Sequence, residues 1–276
     1  MCGLFAGVAM TLMALKALAW TWLVRLYASD AMNVLYAVTT ALMLWSYALA
    51  VTTDPGHASD SVWTKVSPAA LEASVSRTHI GDDDDEQDDD GTKGWRYCER
   101  CDAPKPLHVH HCSACRRCVY RMDHHCPWTN NCVGWTNKKY FLLFLVYTAA
   151  SCLVFNAMET PLVWSTATRA AIAKSKGEFS ALANALLLVA WPLSLGIGLV
   201  LVGYASYHVW LLSIGKTTLQ YLTNKHGEFE GWSLIAHARV YMGSNTMWWW
   251  LPVPPELEPR LRGGSKPSRE SQSFLK

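Results

Sequence analysis

The chain has 276 residues, of which 51% are hydrophobic and 17% are charged, and its formal net charge is +2. Soluble globular proteins carry about 25% charged residues, so this composition argues against a soluble protein and favours one with membrane-spanning segments. No nucleic-acid partner is expected.

Four apolar runs each exceed the roughly 20 residues that cross a bilayer core. They lie at 4–26, 31–53, 140–163 and 182–214. Runs this long and this poor in charge are seldom the core of a soluble helical bundle. The first run also lacks the basic start of a cleaved signal peptide. We therefore predict an α-helical integral membrane protein, multi-pass, with four transmembrane helices in contact with the lipid bilayer.

These spans divide the chain into five segments. Transmembrane helices 1 and 2 occupy 4–53, and a linker at 54–94 contains an almost uninterrupted acidic run, whose like charges repel and prevent a core. A cysteine-rich module follows at 95–139. Transmembrane helices 3 and 4, joined by a short lumenal loop, occupy 140–214, and a C-terminal segment occupies 215–276. Beyond tandem cysteine pairs, no internal repeat is apparent.

Basic residues predict the orientation of the spans. Lysine and arginine number eleven in 54–139 and eight after residue 214, but three in 161–181. By the positive-inside rule, the termini and the cysteine-rich module are cytoplasmic, a reducing environment that suits free thiols. The membrane itself is either an endomembrane (Golgi or endoplasmic reticulum) or the plasma membrane.

The cysteine-rich module contains one more cysteine than two zinc sites require. It has seven cysteines and five histidines between Cys98 and Cys132. Two tetrahedral zinc sites need about eight ligands, which two of the histidines and six cysteines supply: Cys98, Cys101, Cys112, Cys115, Cys118 and Cys132. The remaining thiol, Cys126, follows Asp123, His124 and His125, and a thiol beside a histidine is the arrangement of a cysteine nucleophile.

The stretch from Cys98 to Phe141 resembles the DHHC-type protein S-acyltransferases, or palmitoyltransferases. The likeness is carried by Asp123-His124-His125-Cys126-Pro127-Trp128 and Asn130-Asn131-Cys132-Val133-Gly134. Weaker likeness extends to Asp54-Pro55-Gly56 and to Thr217-Thr218-Leu219-Gln220. The family's layout, with the module between helices 2 and 3, also matches the predicted spans.

The resemblance implies a role for each residue of the motif. One structural Zn²⁺ would bind Cys98, Cys101, His111 and Cys118. A second would bind Cys112, Cys115, His125 and Cys132. The catalytic residues would be the nucleophile Cys126, its base His124, and Asp123, which orients the imidazole, with Thr218 supporting Asp123.

The activity implied is that of a protein S-palmitoyltransferase. A long-chain acyl group would pass from palmitoyl-CoA, the acyl-CoA donor, to Cys126 and then to cysteines of membrane-associated proteins, in a ping-pong scheme. Lys105 and His110 are weaker candidates for binding the acyl-CoA phosphates. Gln220 stands where the family has a glutamate, so we expect an ionic contact to be lost.

Two other functions compete with this one. The first is a catalytically inactive, zinc-stabilised membrane adaptor, which would have no use for the unligated thiol of Cys126. The second is a RING-like ubiquitin ligase, which also interleaves its ligands but has longer loops and leaves no such thiol. Cys126 therefore separates the enzyme from both.

Overall fold

A computed structural model of the chain describes residues 2–57, 96–105, 108–177, 180–225 and 231–257. The acidic run of the predicted linker and the last part of the predicted C-terminal segment lie outside the described residues. The boundaries of the five predicted segments remain predictions.

The described residues are mostly helical, with a small amount of strand. The helices are α1 (Cys2–Ala19, continued by a π-helical turn at Trp20–Val24), α2 (Asp30–Thr52), α3 (Lys138–Trp164), α4 (Thr166–Lys176), α5 (Ser180–Ser213), α6 (Thr218–Leu222) and α7 (Leu234–Met242). A 3₁₀ turn follows at Thr246–Trp248.

Four helices within the described part of the chain are long and apolar enough to cross a membrane. They cover Gly3–Val24, Asp30–Thr52, Lys138–Trp164 and Ala181–Ser213. Large apolar side chains on them face outward: Leu18 is 62% exposed and Val200 is 70% exposed. A soluble helix buries its apolar stripe, whereas lipid solvates such residues. The prediction of four spans is confirmed, and these helices indicate a membrane protein.

One compact unit contains residues 1–49, 127–130 and 140–208. In its core the ring of Trp20 stacks on that of Tyr36, with centroids 3.9 Å apart, and Phe155 packs against both. The charge inside the first span is held by polar partners, because Lys16 Nζ donates to Ser151 Oγ at 2.8 Å. Intramembrane charges are expected to face the bundle interior in this way.

The second unit contains residues 50–126, 131–139 and 209–276. Its described residues include three antiparallel two-stranded hairpins. Their strands are β1 (Arg96–Cys98) with β2 (Ala103–Lys105), β3 (Val109–Cys112) with β4 (Arg117–Tyr120), and β5 (His124–Cys126) with β6 (Asn131–Val133).

The three hairpins form an internal repeat with a period of 14 residues. Their first strands end at Cys98, Cys112 and Cys126, which pair with Ala103, Arg117 and Asn131. Each turn also has one residue in the left-handed region, at Asp102, Arg116 and Asn130. The expectation of no repeat beyond the cysteine pairs was therefore wrong. The repeat lies in spacing and backbone conformation, and few other residues are shared.

The third hairpin is tied to the end of α2 within this unit. Asn131 Nδ2 donates to the carbonyl oxygens of Ala50 at 3.1 Å, Val51 at 3.2 Å and Thr53 at 2.9 Å. A helix end leaves such carbonyls without intrahelical donors. Gly134 passes so close to Pro55 that a Cβ at this position would overlap the Pro55 carbonyl oxygen. The hairpin that carries Cys126 is thus held against the segment that follows the second span.

Candidate active site and metal centres

Each metal-ligand group joins one hairpin to the next. The turn of the first hairpin supplies Cys98 and Cys101, and the second supplies His111 and Cys118, which are cross-strand partners. The same arrangement recurs 14 residues later. There the turn cysteines Cys112 and Cys115 meet the cross-strand pair His125 and Cys132. The structure thus brings together both sets of four residues that the resemblance implies.

Distances within the first group are those of ligands around one ion. His111 Nδ1 lies 3.6 Å from Cys98 Sγ, 3.2 Å from Cys101 Sγ and 3.9 Å from Cys118 Sγ. Sulfurs about 2.3 Å and a nitrogen about 2.0 Å from a tetrahedral zinc ion would be separated by about 3.5 Å. The four side chains therefore fit a zinc ion without rearrangement.

The second group repeats this geometry. His125 Nδ1 lies 3.6 Å from Cys112 Sγ, 3.3 Å from Cys115 Sγ and 3.7 Å from Cys132 Sγ. The sulfurs of Cys115 and Cys132 are 3.5 Å apart. Two equivalent groups of three sulfurs and one imidazole could each hold a metal ion.

The raised pKa values of several of these thiols are also consistent with a site that binds a cation. Burial, together with hydrogen bonds to and negative charge on the neighbouring thiols, raises the pKa of Cys118 and of Cys132. Burial is also the largest cause that raises the pKa of Cys115. Thiolates packed this closely repel one another, and a divalent cation would remove that repulsion and favour their ionised forms.

The alternation of side chains along β5 separates the two adjacent histidines. Successive residues of a strand point to opposite faces, so His124 and Cys126 share a face and His125 faces away. His125 joins the second ligand group. The side chains of His124 and Cys126 form a hydrogen bond, and Cys126 is only 4% exposed. All seven cysteines between 98 and 132 are described, and Cys126 alone is outside both ligand groups.

Cys126 lies outside the ligand groups because the repeat stops. Cys98 and Cys112 occupy the same place in their hairpins, and each meets a cross-strand His–Cys pair from the next hairpin. After β6 the chain continues into α3, so the third hairpin has no successor in the sequence. Cys126 therefore has a ligand's position in its turn but no site to complete.

Asp123 lies at the centre of a hydrogen-bond network. Its Oδ2 accepts from Thr218 Oγ1 at 2.7 Å and lies 2.8 Å from His124 Nδ1, while its Oδ1 accepts from the Thr218 backbone N–H at 3.1 Å. Lys138 Nζ donates to Oδ1 at 2.7 Å. Sequence reasoning pointed to Asp123, His124, Cys126 and Thr218 but missed Lys138. The only signal for it was a lysine at the start of an apolar span.

The network changes the proton affinity of His124. Burial by itself lowers the pKa of His124, but hydrogen bonds to Asp123 and Cys126, and the negative charge of both partners, raise the pKa to about 9. With Nδ1 engaged by Asp123, the ring nitrogen available to the thiol is Nε2. A histidine that favours its protonated form beside a thiol favours the thiolate of that thiol.

The structure gives little support for Lys105 and His110 as contacts of the acyl-CoA phosphates. The side chain of Lys105 lies outside the described side chains. His110 is half-buried in β3, where it pairs with Val119, and it holds the position that His124 holds in the third hairpin. Neither residue belongs to the ligand groups found among the described residues.

Gln220 has a local role that explains how the chain accommodates it. Its backbone N–H and side-chain oxygen form a capping box with Thr217, with Thr217 N donating to Gln220 Oε1 at 2.8 Å. Its Nε2 lies 3.4 Å from His108 Nδ1. The box fixes the start of α6, and Thr218, the first residue of α6, contacts Asp123.

Comparison with known proteins agrees with this geometry. The family model of the DHHC palmitoyltransferase matches residues 91–225, which contain both ligand groups and the Asp123 network. "Palmitoyltransferase ZDHHC2" of Mus musculus is 38% identical over 167 residues, and "Palmitoyltransferase pfa3" of Aspergillus fumigatus is 39% identical over 179 residues. These matches cover 57% and 64% of this chain, but only 43% and 30% of the relatives' own lengths.

A third relative is matched over more of its length. "Probable protein S-acyltransferase 13" of Arabidopsis thaliana is 32% identical over 224 residues, which are 78% of this chain and 69% of that protein. An alignment over 78% of the chain must reach beyond the hairpins into the helix that follows them. The structure has repeated ligand groups and, outside them, a cysteine beside a histidine. With these relatives, the observations lead to one conclusion: the chain belongs to the DHHC palmitoyltransferase family.

Proposed function

We propose that the chain is an integral membrane protein S-palmitoyltransferase that forms an acyl-enzyme on Cys126. One observation carries the proposal: Cys126 is the module cysteine outside both ligand groups, and it hydrogen-bonds to His124, which Asp123 holds at 2.8 Å. A structural module has no use for a thiol activated in this way. The same observation disfavours the inactive adaptor.

In the first step His124 takes the proton of the Cys126 thiol as the sulfur attacks the thioester carbonyl of a long-chain acyl-CoA. The carbonyl–sulfur bond to CoA breaks, and the CoA thiolate leaves with the proton that His124 gives back. In the second step His124 takes the proton of a substrate cysteine as its sulfur attacks the new thioester. The bond to Cys126 then breaks, and His124 returns the proton to the Cys126 thiolate. Asp123 orients the imidazole and stabilises its charged form throughout.

Two zinc ions would stabilise the hairpins that carry these residues. Cys98, Cys101, His111 and Cys118 would hold one, and Cys112, Cys115, His125 and Cys132 the other. When bound, zinc supplies cross-links between successive hairpins, about 10–16 kcal/mol of apparent binding energy per site in model fingers. The second site includes His125, which directly precedes Cys126, so metal binding would fix the strand that presents the nucleophile.

We further propose that the module and both termini face the cytoplasm, where acyl-CoA is available. The basic residues on that side support this orientation. Exposed arginines at Arg116 and Arg117, with Lys105 and His110, are candidates to meet CoA phosphates. The acceptors would be cysteines of membrane-associated proteins.

The helical unit offers a place for part of an acyl chain. A cavity of about 110 Å³ opens among α1, α3 and α5. Most of its lining is apolar, with Leu12, Leu186 and Leu193 among the residues, but Lys16 and Ser194 also line it. Each methylene buried from water contributes about 0.8 kcal/mol. The apolar part of this lining is therefore a candidate surface for a few methylenes of the acyl chain.

A two-stage labelling experiment tests the transfer. Purified protein is incubated with radiolabelled palmitoyl-CoA, separated from the donor, and then mixed with a cysteine-containing peptide on lipid vesicles. A ping-pong transferase carries a hydroxylamine-sensitive label after the first stage and passes it to the peptide in the second. The same peptide with serine in place of cysteine is the control. Label that reaches the peptide only while acyl-CoA is present would contradict an acyl-enzyme intermediate.

A further inference from the structure

Two adjacent lysines begin α3, and both are fully buried. Their ammonium groups go to different partners. Lys139 Nζ donates to the backbone carbonyls of Trp248 at 2.9 Å and Val253 at 3.0 Å, so it fixes the segment after α7. Lys138 Nζ instead donates to Asp123 Oδ1 at 2.7 Å.

The Lys138–Asp123 pair is shielded from water on both sides. The side chains of both residues are 0% exposed, and Lys138 Nζ lies 4.6 Å from the centroid of the Tyr241 ring. A buried carboxylate is costly unless it is paired and hydrogen-bonded, and a charge-assisted bond at this distance is among the stronger interactions available to it. Lys138 therefore supplies a compensating charge that stays with Asp123.

The two carboxylate oxygens of Asp123 have different partners. Oδ1 accepts from Lys138 Nζ and from the Thr218 backbone N–H. Oδ2 accepts from the Thr218 hydroxyl and lies against His124 Nδ1. Rotation of the carboxylate would break the strong bond from Lys138. Oδ2 is thereby kept directed at the imidazole that hydrogen-bonds to Cys126.

We propose that Lys138 is a positioning residue of the acylation site, which acts on Cys126 through the Asp123 carboxylate and His124. That Lys138 affects the rate of acyl transfer rests on the proposed function. Its direct effect is on the reactivity of the Cys126 thiol, which can be measured without any acyl donor.

The test compares Lys138→Met with Lys139→Met, because Lys139 is also buried but its ammonium group donates to the carbonyls of Trp248 and Val253. For each variant we would measure zinc per chain, the rate at which iodoacetamide alkylates Cys126 (followed by mass spectrometry of the Cys126 peptide), and the rate of labelling by palmitoyl-CoA. Lys138→Met should slow both reactions roughly 10- to 100-fold, the range found for groups that orient metal-ligating side chains through hydrogen bonds, with zinc content unchanged. Lys139→Met should leave the alkylation rate of zinc-replete protein unchanged.

A double variant shows whether Lys138 acts through Asp123. In Asp123→Asn, adding Lys138→Met should cause no further slowing of alkylation, because the pathway is already broken. The double variant also has no Asp123 carboxylate, which in Lys138→Met alone would be buried without a partner lysine and could unfold the protein. If Lys138→Met loses zinc, the comparison of Asp123→Asn with the double variant decides. It is made on zinc-replete protein of each variant, because Asp123→Asn leaves the buried Lys138 ammonium without its carboxylate.

Two results would overturn the proposal. One is zinc-replete Lys138→Met that reacts at the wild-type rate. The other is a double variant about ten times slower than Asp123→Asn, which would make the role of Lys138 independent and structural. If the wild-type chain takes no acyl group but its alkylation still depends on Lys138, only the proposed transferase function fails.

Discussion

At the scale of residues, the decisive feature is that two adjacent histidines have different partners. His124 lies against Asp123 and hydrogen-bonds to Cys126, whereas His125 joins three sulfurs. The cause is the alternation of side chains along a strand. Residue types and spacing could not divide these roles, because the sequence alone does not show whether the motif is a strand. The family resemblance supplied the division, and the geometry is consistent with it.

His124→Ala and His125→Ala should therefore fail differently. His124→Ala removes the base and leaves both ligand groups intact, so zinc per chain should be unchanged while acyl labelling falls by about 10²- to 10⁴-fold. His125→Ala removes a ligand, so it should lose one metal and part of its fold. Metal analysis and acyl-CoA labelling of the two purified variants check this. The same zinc content in both would refute the division of roles.

At the scale of elements, the hairpin repeat explains both the ligand groups and the spare thiol. Its 14-residue period is present in the sequence, since Cys98, Cys112 and Cys126 are evenly spaced. Only the shared register and turn conformation make it recognisable as structure. Lys138 was beyond sequence reasoning for another reason. Its role depends on a contact with Asp123, 15 residues earlier, made by a helix that composition identifies only as apolar.

The packing of the third hairpin gives a prediction about stability. A Cβ at Gly134 would overlap the Pro55 carbonyl oxygen and approach Val119 Cγ1 to 2.9 Å. Overpacking of this kind costs about 1–3 kcal/mol, so Gly134→Ala should lower the thermal midpoint and weaken zinc retention. Gly196→Ala is the control, because a Cβ at this position would have no atom within 4 Å other than the backbone of its own helix and its chain neighbours. An equal midpoint for both variants would show that the hairpin is not held against the Pro55 segment.

At the scale of the whole molecule, the membrane spans were predictable and the details of the active site were not. Hydropathy identifies long apolar helices directly, because a bilayer selects for length and composition alone, and the four described spans bear this out. Hydrogen bonds between residues far apart in the sequence, such as Thr218 with Asp123, need a fold. Thr218 was expected only because the family resemblance indicated it.

The central claim is that Cys126 carries the acyl group and binds no metal. The most direct measurement is made on purified wild-type and Cys126→Ser protein incubated with labelled palmitoyl-CoA, with label and zinc determined on the same samples. The account predicts that Cys126→Ser loses the hydroxylamine-sensitive label and keeps about two zinc ions per chain. A serine variant that still takes the label, or that loses a zinc ion, would contradict it.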